Sequence, residues 1–60
     1  MIPKDPAILL SVINTKLRDE FPSLDDLCAA LDADQTDISE ALATLDYHYD
    51  SRRNQFVRTK

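Results

Sequence analysis

No glycine occurs anywhere in these 60 residues. Glycine is the residue that ordinarily enters left-handed backbone conformations without steric cost. Every tight turn here must therefore be built on Asp, Asn or Ser, whose short polar side chains bond nearby backbone and tolerate that geometry. Two stretches between apolar runs have the required residues: "DAD" at 32–34, and the Asp, Ser and Asn of "DSRRN" at 50–54. The same absence excludes any glycine-rich loop for cradling phosphates.

Between those turns the apolar spacing is helical. In "DPAILLSVINTKLRDEF", Asp5 suits an N-cap and Pro6 the first helical position, where a missing N–H is harmless. Ile8, Leu9, Leu10, Val12, Ile13, Leu17 and Phe21 then cover roughly 200° of the helix, against about 100° for a helix with one buried stripe. Pro22 ends it. Ser23 caps a second helix, "SLDDLCAAL", with Asp26 in the capping-box place and Leu24, Leu27, Cys28 and Leu31 on its buried face. Asp32 stands where a glycine is usual, and Asp34 caps a third helix with Ile38, Ala41, Leu42 and Leu45 turned inward. These signals predict helices over 6–20, 23–31 and 34–45.

After Leu45 the period changes to alternation. "YHYDSRRNQFV" predicts two short strands, 47–49 and 55–57, joined by a turn at 50–54. The expected fold is mainly α, a single domain over 1–60. It has a three-helix helix-turn-helix core and a C-terminal β-hairpin, in the order of a small winged helix without its usual first strand.

Size and chemistry limit what such a domain can do. A chain this short buries only roughly 60 % of the surface its unfolded form exposes. One cysteine excludes an internal disulfide, and one cysteine with one histidine cannot complete a four-ligand zinc site. No apolar run approaches the ~20 residues of a membrane span, and the start lacks the basic region of a signal peptide. A soluble cytoplasmic protein is the expectation.

Three stretches, "IPKDP", "NTKLRDEFPSLDDLC" and "YDSRRNQFV", resemble a family of very short bacterial proteins known as a domain of unknown function. The resemblance spans nearly the whole chain. It implies a free-standing bacterial protein and brings no activity, ligand or catalytic residue with it.

The charge pattern argues against reading DNA through helix 3. The net charge is −4, but residues 21–50 hold eight acids, Asp25, Asp26, Asp32, Asp34, Asp37, Glu40, Asp46 and Asp50, with no Lys or Arg. A duplex carries one negative charge per ~1.7 Å of axis and repels such a face. Arg52, Arg53, Arg58 and Lys60 form a basic hairpin tip and tail, and a backbone contact there is the alternative nucleic-acid reading.

Metal and catalytic readings are weaker. Asp32, Asp34 and Glu40 imitate a calcium loop, but counting from Asp32 the sixth and twelfth places hold Asp37 and Ala43 instead of glycine and glutamate. Cys28 falls on an apolar face as a structural thiol, and His48 should face away from Tyr47 and Tyr49 into solvent. No cofactor and no catalytic residue are expected.

Protein contact remains. The apolar excess of helix 1 points to a partner or a homodimer seam at its margins, Ile8 on one side and Leu10 beside Asn14 on the other. Tyr47, Tyr49 and Phe56 are further candidate anchors. Arg18, one turn from Asn14, is expected either to meet a partner or, preferably, to pair with a carboxylate of the acidic middle segment.

Overall fold

The computed structural model describes residues 3–59. Its elements are α1 (Pro6–Asp19), α2 (Leu24–Leu31), α3 (Gln35–Ala43), β1 (Tyr47–Asp50) and β2 (Gln55–Arg58), a mainly α chain with a C-terminal antiparallel hairpin.

Each helix starts where its cap predicts. Asp5 Oδ1 accepts from the N–H groups of Ala7 at 2.8 Å and Ile8 at 3.4 Å. Ser23 Oγ accepts from Asp26 N at 3.1 Å, and Asp34 Oδ1 from Thr36 N at 2.8 Å. These side chains satisfy donors that a helix start leaves without partners.

The glycine-free turns are built on Asp and Asn. Among the described residues the positive-φ positions are Asp32 at 52°, Asp46 at 63° and Asn54 at 54°. Asp32 ends α2 in left-handed geometry, and Ala33 N reaches back to Cys28 O at 2.9 Å, closing the helix in the Schellman manner. Asp46 sets the turn from α3 into β1. That turn begins two residues before the expected end of the third helix: Leu45 N bonds Leu42 O and Asp46 N bonds Ala43 O, both at 3.0 Å. Leu45 is consequently half-buried in a turn and is not part of a helical face.

The core draws on every helix and on β2. Leu9, Ile13 and Leu17 of α1 meet Leu24, Leu27 and Cys28 of α2, Ile38 and Leu42 of α3, and Phe56 of β2. The buried stripe of α1 is thus an i, i+4, i+8 row. Leu10 and Phe21 pack partly against it, whereas Ile8 stays 54 % exposed.

Candidate functional site

The hairpin is held to the helices through the polar side chains of Asn14, Tyr49 and Asn54. Asn14, on the flank of α1, donates from Nδ2 to Phe56 O at 3.0 Å and accepts at Oδ1 from Phe56 N at 2.7 Å. One amide thereby makes the pair of hydrogen bonds that a third strand would make beside β2. Asn54, at the end of the hairpin turn, donates to Leu17 O at 3.1 Å and Phe21 O at 2.9 Å. Those carbonyls lie at the C-terminal end of α1, where Phe21 N bonds Lys16 O instead of Leu17 O and Pro22 has no N–H to give. Tyr49 completes the connection: its hydroxyl donates to Asn54 Oδ1 at 2.6 Å and accepts from Leu24 N at 3.3 Å. The Tyr49 and Phe56 rings pack with centroids 5.6 Å apart and planes tilted by 51°.

This arrangement reassigns several residues expected at a partner surface. Phe56 is 1 % exposed and belongs to the core. Asn14 and Tyr49 have their polar atoms committed to the hairpin and helix ends. Tyr47 is half-buried against the core, as is Leu10, so the hairpin covers that margin of α1 from within. Arg18 pairs with its neighbour Asp19, at 2.9 and 3.0 Å, and not with a carboxylate of the middle segment. The two are adjacent in sequence and both exposed, so the bidentate geometry forms without any tertiary approach. The hydrogen bond to Asp19 raises the Arg18 pKa and lowers that of Asp19.

Ile8 lies on the uncovered margin of α1. It is the exposed large hydrophobic among the described residues, with half-buried Val12 one turn along.

Arg52, Arg53 and Arg58 are exposed on the hairpin, while Lys60 lies outside the described residues. Asp50 Oδ1 accepts from Arg52 N at 2.9 Å and Arg53 N at 3.4 Å, which shapes the turn. Its other oxygen stands 3.9 Å from Arg53 Nε, a loose contact at a solvated tip.

The α3 surface is acidic, as its residues foretell. A cleft of about 330 Å³ runs beside it, lined by Pro3, Lys4, Leu9, Asp32, Asp34, Asp37 and Ile38 among others. Among the described residues no three His, Cys, Asp or Glu side chains converge as metal ligands. Cys28 is buried, and desolvation, with help from the carboxylates of Asp25 and Asp34, pushes its thiol pKa up. His48 is exposed, its Nδ1 3.0 Å from Thr59 Oγ1.

The role of Asn54 escapes sequence reasoning, which marks it only as a turn residue. An asparagine alone in a glycine-free turn is the available signal, but its two acceptors lie more than thirty positions away.

A family model described as "Domain of unknown function (DUF4250)" matches residues 3–56. No curated protein and no solved structure matches the chain. The stretches that resemble the family contain Asn14, Phe21, Leu24, Tyr49, Asn54 and Phe56, the residues that fasten the hairpin.

Proposed function

Because the chain belongs to the DUF4250 family, a domain of unknown function, its role has to be found on its own surface, and we propose that it is a small non-catalytic protein-interaction or dimerisation module. The observation that carries this reading is Ile8, 54 % exposed on the margin of α1 that the hairpin leaves uncovered. Burying the half of this side chain that is still exposed contributes about 1 kcal/mol. Its half-buried neighbour Val12 extends the patch. In this reading α2 and α3 form a helix-turn-helix scaffold whose acidic face does not read DNA. The proposal places the protein in the bacterial cytoplasm, a reducing setting that suits a free thiol at Cys28.

The basic hairpin favours a second reading, in which Arg52 and Arg53 at the tip and Arg58 at the far end of β2, each exposed, touch a nucleic-acid backbone. One experiment separates the two. The tagged protein is recovered from its host with nucleic acid intact and digested, beside Ile8→Glu and Arg52→Glu/Arg53→Glu variants. The interaction reading expects partners that survive digestion and disappear with Ile8→Glu. Partners lost on digestion and with the arginine variant would replace it with the second reading.

A further inference from the structure

We draw no further inference here: the strongest candidate, the cleft of about 330 Å³ beside the start of α3, lined by exposed Asp32, Asp34 and Asp37 and by buried Leu9 and Ile38, is a cluster of acidic residues at a helix start, and among the described residues no buried polar side chain without a partner points into it to mark a ligand.

Discussion

Asn14 on α1 and Phe56 on β2, 42 positions apart, are joined by two hydrogen bonds that run in opposite directions through a single side-chain amide. Phe56 fills the core beneath, and Asn14 occupies the strand edge above. The hairpin is thus fixed by one apolar anchor and one polar clamp at the same residue.

Replacing Asn14 by Leu should leave both backbone groups of Phe56 without their partner and lower stability by about 1–3 kcal/mol. Asn14→Asp retains an acceptor for Phe56 N but loses the donor to Phe56 O, so it also destabilises. Urea denaturation of the three proteins checks this. An Asn14→Leu midpoint equal to that of the parent would show that the clamp contributes nothing.

Asp32 and Asn54 share a left-handed backbone, at φ 52° and 54°, but should respond oppositely to glycine. Asp32→Gly relieves the steric cost of that conformation and should stabilise by up to about 1 kcal/mol. Asn54→Gly gains the same relief but removes the bonds to Leu17 O and Phe21 O and the acceptor for Tyr49, so it should destabilise by about 1–3 kcal/mol. Thermal melts of both variants decide it. A stabilising Asn54→Gly would reduce its amide to a bystander.

Leu42 is wholly buried at the meeting of α3 with the rest of the core. Leu42→Ala should cost about 2–5 kcal/mol, the range for a cavity that cannot fully collapse. In a domain of this size that is a large part of the total, so the variant should be substantially unfolded at modest urea. A loss below 1 kcal/mol would mean that the site repacks.

Cys28 makes a pH prediction. Its thiol pKa is raised by burial, then by Asp25 and Asp34, so the folded chain holds this proton at pH values where the unfolded chain releases it. The contribution to stability is full below the ordinary thiol range and is lost as pH rises through it towards the folded value. Denaturation midpoints should therefore fall on the alkaline side, and less steeply in Cys28→Ala. Reaction with a thiol reagent at neutral pH should be slow until the protein is unfolded.

Much of this architecture is legible in the sequence because its signals are local. A cap residue bonds N–H groups two or three positions on, as Asp5, Ser23 and Asp34 do, and a glycine-free chain must place Asp or Asn at its left-handed turns, as at Asp32. The change from helical spacing to alternation after Leu45 marks the hairpin for the same reason. It misses the end of α3 by two residues, since the apolar Leu45 extends the pattern past the point where the backbone turns at Asp46.

By itself, then, the sequence determined the element order, the helix starts, the turns at 32–34 and 50–54 and an acidic middle segment ahead of a basic hairpin. These are properties of neighbours along the chain. The tertiary structure alone decided that Phe56 is core and not an exposed anchor, that Asn14 and Asn54 satisfy backbone groups of distant elements, and that Ile8 rather than Leu10 lies on the open margin of α1. Periodicity states which residues share a face, but not what that face meets. The direction in which the hairpin folds back over α1 settles that, and it is set by packing among residues far apart in the chain.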